Sequence, residues 1–299
     1  MKQQIFTFAV VGFFVWASFA QAEMTSGNYI IRWDTVSTGG SDTASSATYL
    51  LHDTAESTTA GSSTSSSYEL AQGYRVDTQL LTFEVVAEDT STGRSATSLS
   101  GTTVTADPTG LVVNDLIALV QDEGASEVSA IGRIVSIGAG TITVDVWKNA
   151  GSSPVIDGTN DKVYRLSGTS VVFGTLSTSS VSTAIIAFEV TAVNDNGYVV
   201  QMYEDGNLRA GSSEIPDVTD GSVSAGSQEY GARSSDTTIS TSTFDTADTG
   251  ITTTFQDVAS ESTASFESRN FVTLKTSISS ATTAGGYAHT ISVIASANF

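Results

Sequence analysis

Short apolar runs and period-two alternation recur at Leu80–Ala87, Thr102–Ala106, Leu116–Gln121, Ala130–Ile137, Thr141–Trp147, Ser170–Phe173, Ala184–Val193, Tyr198–Tyr203, Phe271–Ile278 and His289–Ala297. This is the pattern of short β-strands. The clusters between them, among them Asp157-Gly-Thr-Asn-Asp161, Asn194-Asp-Asn-Gly197 and Asp205-Gly-Asn207, are turn formers. No window of useful length places apolar residues at i, i+3, i+4 and i+7 between caps, so helix is expected to be a minor component. The pattern predicts an all-β chain whose main domain is a Greek-key sandwich of immunoglobulin or pilin-like type.

The same pattern divides the chain. In residues 1–22, Lys2 precedes an apolar run from Ile5 to Ala20, and Ala20-Gln21-Ala22 offers a small-x-small cleavage site before Glu23. Residues 1–22 are therefore expected to be a secretory signal peptide, and the mature protein to be extracellular or at the cell surface. No later stretch is apolar over the length a bilayer requires, so no transmembrane segment is expected after cleavage.

Residues 23–77 are rich in Ser and Thr and carry a repeat. Tyr29, Tyr49 and Tyr68 are spaced by 20 and 19 residues, each following Ser/Thr-rich sequence and heading a short apolar stretch. The spacing predicts a module of β-hairpins, with Ser57–Ser67 as a flexible loop. Aromatic faces suit sugar rings, but β-propensity alone accounts for a tyrosine at a strand head. The sandwich is assigned to residues 78–94 and 169–299. Between them, Thr102–Ala106, Leu116–Gln121, Ala130–Ile137, Thr141–Trp147 and Val163–Leu166 read as a small β-barrel inserted over residues 95–168. An insertion whose ends lie together is expected to share few contacts with its host and to be removable as a unit.

Composition narrows the function. The chain of 299 residues holds 12 Lys and Arg against 32 Asp and Glu, a formal charge of -20. Such a surface repels a phosphate backbone, so nucleic acid is not an expected partner. Cysteine is absent, which removes disulfides, thiol chemistry and cysteine-ligated metals. His52 and His289 are the only histidines, no Gly-x-Ser-x-Gly elbow occurs, and His289 alternates with Ile291 and Val293 as a strand residue would. No catalytic residue and no cofactor are assigned. The loop carboxylates Asp157, Asp161, Asp195, Asp217 and Asp220 are candidate calcium ligands, although Asp is equally a turn former and no EF-hand spacing is present.

A resemblance enters with Val172-Phe-Gly-Thr-Leu176, Asn196-Gly-Tyr198, Glu204-Asp-Gly-Asn-Leu208, Glu229-Tyr-Gly231 and Ala284-Gly-Gly-Tyr287-Ala-His-Thr-Ile-Ser-Val293. These segments resemble spore-coat-U and pilin-type subunits and other Ser/Thr-rich exported bacterial surface proteins. The resemblance covers about residues 78–86 and 170–299, and Tyr29–Tyr74 is similar to the N-terminal part of some of the surface proteins. It implies a secreted, non-catalytic structural or adhesive protein. Such subunits usually carry a disulfide, which this chain lacks.

The function expected is thus a surface protein, a filament or surface-layer subunit, whose partners are copies of itself or other surface proteins. The final strand contains no charge and no proline, so Thr290, Ser292, Ile294 and Ala295 are taken as the assembly edge. The alternative is an exported carbohydrate-binding module or carbohydrate-active protein, with glycans as partners.

Overall fold

The computed structural model describes residues 81–298 except 125–126, together with the backbone of six short strands between Met24 and Gln72. The proposed signal peptide lies outside the described residues. The chain divides into two units between Thr78 and Gln79. Among the described residues all regular structure is β and every ladder is antiparallel, so the chain is all-β.

In the first unit β1 (Met24–Thr25) pairs with β2 (Ile30–Ile31), β3 (Ala44–Ser45) with β4 (Leu50–Leu51), and β5 (Gly61–Thr64) with β6 (Glu69–Gln72). β2, β4 and β6 each begin at the residue after Tyr29, Tyr49 and Tyr68, so the sequence period returns as three strand pairs. The Ser57–Ser67 run, expected to be a loop, supplies β5. Pairing uses backbone groups, and Ser and Thr do not obstruct it.

The second unit contains β7 (Leu81–Ser100), β8 (Thr103–Ala106), β9 (Leu116–Gln121), β10 (Val128–Gly138), β11 (Thr141–Val144), β12 (Lys148–Asn149) and β13 (Lys162–Gly168). It continues with β14 (Ser182–Ala192), β15 (Tyr198–Glu204), β16 (Leu208–Ala210), β17 (Ser213–Ile215), β18 (Glu229–Ser234), β19 (Gln256–Glu261), β20 (Ser265–Ser277) and β21 (Ile291–Ala297).

Two sheets form the sandwich, β18-β20-β14-β7 and β19-β15-β21. Phe188, Val200, Met202, Tyr230, Val258 and Leu274 fill the space between them. A second ring closes in the order β7-β8-β11-β10-β9-β13 and back to β7, around Val104, Ile117, Leu119, Ile134, Ile142 and Val163. β7 belongs to both bodies. Its polar middle bulges: the register with β13 jumps from Arg165↔Asp89 to Val163↔Arg94, and the Thr92 hydroxyl donates back to the Asp89 carbonyl at 2.7 Å. β13 pairs with β7 on both sides of it, and the Thr92 hydroxyl accepts a hydrogen bond from the Arg165 N–H at 2.9 Å. Ser170–Phe173, expected to be a strand, is irregular chain whose Val171 and Phe173 pack on the sandwich core.

The boundary between barrel and sandwich is a third apolar layer, contrary to the few contacts expected of an insertion. Leu116, Ala118, Val120, Ile131, Tyr164 and Leu166 of the barrel lie against Ile185, Ala187 and Phe271 of the central sheet. β14 shows how. Ile186, Phe188 and Val190 face the sandwich core, while Ile185 and Ala187 face the barrel. A strand covered on both faces reads as a continuous apolar run, as Ala184–Val193 does.

Polar groups close the two ends of this layer on the same face of β14. At one end the Thr183 hydroxyl donates to Glu127, which also accepts from Ser129 at 2.9 Å, and Glu88 accepts from the Ile185 N–H at 3.0 Å. Burial pushes the Glu88 carboxyl up to about 8, against the Ile185 hydrogen bond and aided by repulsion from Glu127 and Glu123; burial raises Glu127 as well. At the other end Glu189 accepts from Arg269 at 2.7 Å and from Arg133 at 2.9 Å.

Candidate functional site

The side of the sandwich where β7 and β21 face each other is open. β21 alternates because one of its faces meets the core: Ile291, Val293 and Ala295 point inward, which turns Ser292 and Ile294 outward. It pairs with β15 from Glu204↔Ile291 to Tyr198↔Ala297. Among the described residues its other edge has no ladder partner. In the opposite sheet, β7 pairs with β14 along Leu81–Ala87, but its ladder with β13 begins only at Ala87. Leu81–Val86 is therefore a second free edge among the described residues. The consequence is visible in burial. Leu81, Phe83, Val85, Ile291, Val293 and Ala295 pack on the core yet remain partly exposed, whereas Tyr230 and Ala232 at the opposite side are fully buried.

β21 is fixed at both ends on its paired side. Thr290, which precedes the strand, donates its N–H to the Asp205 carboxylate at 2.9 Å, and its carbonyl accepts from the Asp205 N–H at 3.0 Å. At the far end the Asn298 N–H donates to the Gly197 carbonyl at 3.0 Å and the Asn194 side chain donates to the Asn298 carbonyl at 2.7 Å. The free edge is thus presented in a set position. Of the four residues assigned from sequence, Ser292 and Ile294 lie on the outer face. Ala295 points into the sandwich, and Thr290 belongs to the turn before the strand.

His289 sits just upstream. Its Nδ1 lies 2.9 Å from Glu204 Oε2 and 3.2 Å from the Gly206 carbonyl oxygen, and its Nε2 lies 3.1 Å from the Tyr230 hydroxyl. The imidazole and the Glu204 carboxylate are 6% and 2% exposed. The group clamps the start of β21 to β15 and β18. Asp217 stands nearby with a buried Oδ1 that has no hydrogen-bond partner, and burial, reinforced by Glu204, pushes its carboxyl up to about 6.

The five calcium candidates do not converge. Asp161 is 2% exposed and accepts from the N–H groups of Asp122, Asp157 and Gly158, so its carboxylate holds the barrel loop together. Asp157 and Asp220 cap their own turns by accepting from the N–H groups of Thr159 and Ser222. Asp217 belongs to the His289 surroundings, and Asp195 lies in the turn between β14 and β15. Among the described residues no three Asp, Glu or His side chains are grouped as a metal site.

Comparison with protein families, curated proteins and solved structures finds no match in any of the three. Sequence reasoning missed the β7 edge. Alternation at Leu81, Phe83 and Val85 marks the strand, but nothing in the sequence marks its edge as unpaired.

Proposed function

We propose that this protein is an exported, non-catalytic surface subunit that self-associates by strand pairing along the open side of its sandwich. The observation that supports it is the meeting of two free strand edges over the same half-covered apolar row. An added strand would bond the unpaired N–H and C=O groups of β21 or β7 and cover Leu81, Phe83, Val85, Ile291, Val293 and Ala295 at once. Ile291–Ala297 carries no charge, proline or bulge to prevent this. The export signal and the resemblance to pilin-type subunits favour a place at the cell surface, with copies of itself or other surface proteins as partners.

Negative-stain microscopy of the mature protein, residues 23–299, and of the native cell surface tests this reading. Ordered filaments or sheets of one repeating subunit are the expected result. Dispersed single particles in both would count against it.

A further inference from the structure

A second surface, on the outer face of the smaller sheet, goes beyond this reading. A cleft of about 380 Å³ lies between the loop Thr241–Thr249 and the start of β19. Phe255 forms one wall. The residue is 51% exposed and its ring meets Tyr203 at a centroid distance of 4.6 Å and an interplanar angle of 73°. The edge contact with Tyr203 favours one orientation of the exposed ring and leaves an apolar face toward the cleft.

The remaining lining is polar and already ordered. The Asp257 carboxylate accepts from Gln201 at 2.7 Å through Oδ1 and from the Thr241 hydroxyl through Oδ2, leaving lone pairs on both oxygens. Donation by Thr241 leaves its own oxygen free to accept. Gln256 accepts from the Thr252 N–H at 2.7 Å and donates to the Gly250 carbonyl at 3.2 Å, which fixes its amide and leaves one N–H. The Thr249 hydroxyl donates to the Ala247 carbonyl at 3.2 Å and accepts from Thr243 at 2.7 Å, so both oxygens keep room to accept a further hydrogen bond.

This chemistry selects among ligand classes. With Asp257 present and no Lys or Arg in the lining, phosphates and acidic sugars are disfavoured. A single exposed ring among hydroxyls is too polar a lining for a lipid chain. A neutral sugar fits both parts: its C–H face lies on an aromatic ring, and neighbouring hydroxyls exchange hydrogen bonds with a carboxylate, an amide and threonines.

We propose that the Phe255–Asp257 cleft is a binding site for a neutral hexose or N-acetylhexosamine unit of a surface glycan. The site lies away from the open side of the sandwich, so the two activities separate.

Saturation-transfer NMR on the full mature chain, titrated with methyl glycosides of glucose, galactose, mannose and N-acetylglucosamine, tests the proposal. At least one should bind saturably, with a Kd on the order of 1 mM. Phe255→Ala should weaken it at least about tenfold, as truncation of a central aromatic anchor does. Asp257→Asn should weaken it while far-UV spectra and urea midpoint stay unchanged, and Ser292→Lys on the free edge should leave it intact. Absence of saturable binding by all four glycosides, or binding that survives both Phe255→Ala and Asp257→Asn, overturns the assignment.

Discussion

Arg269 holds Asp145 by a hydrogen bond from Nη1 to Oδ1 at 2.9 Å and by an ion-pair contact of Nη2 with Oδ2 at 2.6 Å. The pair joins a strand of the sandwich to the barrel, and Arg269 is 7% exposed while its Nε also holds Glu189. Replacing Arg269 by Met should leave Asp145 without its cation and Glu189 with Arg133 alone, at a cost of about 1–2 kcal/mol because both carboxylates are only partly shielded from water. Arg269→Lys should recover only part of this, since an ammonium cannot reproduce the fork. Urea unfolding of the two variants measures the difference.

The apolar layer behind that pair predicts joint unfolding. Trp147 packs on the barrel core and, in residues 23–299, which lack Trp16, serves as its reporter once Trp33 is replaced by Phe. Its fluorescence and the far-UV signal of the whole protein should change at the same urea concentration. Ile131→Ala should shift both together by about 3 kcal/mol, as cavity-forming substitutions do. Deletion of residues 95–168 should expose Ile185, Ala187 and Phe271 and give a product that binds hydrophobic dyes. A barrel that melts separately, or a deletion product that stays dye-silent and cooperative, would show the layer to be dispensable.

Stability should fall as pH rises. Glu88 is lifted from 4.5 to about 8 by burial, so between those values the folded protein holds a proton that the unfolded chain releases. The stabilisation is complete below the unfolded value and is lost as pH passes through the folded one. Glu127 and Asp217, also raised by burial, act with the same sign. Glu88→Gln, an isostere of the protonated acid, should flatten the descending limb and stabilise the protein at pH 8 relative to the wild type. Urea midpoints at pH 5, 6.5 and 8 measure the slope; equal slopes in both proteins would assign it elsewhere.

The turn before β15 depends on Gly197. Its φ is +70°, and a Cβ there would lie 2.0 Å from the Glu261 carbonyl oxygen. Gly197→Ala should destabilise by about 2 kcal/mol or more, combining a disfavoured backbone conformation with a clash against backbone. The Asn298 N–H bonds to the Gly197 carbonyl, so hydrogen exchange should rise first at the end of β21.

The strands that alternate or run apolar were legible in the sequence because packing wrote them there: Tyr198–Glu204 with one face inward, Ser182–Ala192 with both faces covered. The strands missed were polar. Glu229–Ser234 and Gln256–Glu261 give few apolar residues to the core and are defined by their ladder partners. The free edge of β21 could be named from its lack of charge, but the Leu81–Val86 edge could not, since an unpaired edge is a property of topology. Phe255 and Asp257 drew no notice because their setting depends on Gln201 and Tyr203 of another strand, far along the chain. Alternation places Ser292 and Ala295 on opposite faces of the strand; that Ala295 is the one facing the core follows from the packing of β21 in the fold.

Light scattering of residues 23–299 against protein concentration and salt tests edge association most directly. The expected charge of -21 after loss of Lys2 with residues 1–22 opposes assembly, so mass should rise with salt as repulsion is screened. Ser292→Lys with Ile294→Lys places two cations on the outer face of β21, away from the core, and should hold the protein monomeric with an unchanged urea midpoint. A wild-type protein that stays monomeric at high concentration and high salt, or a double variant that assembles as the wild type does, contradicts the account.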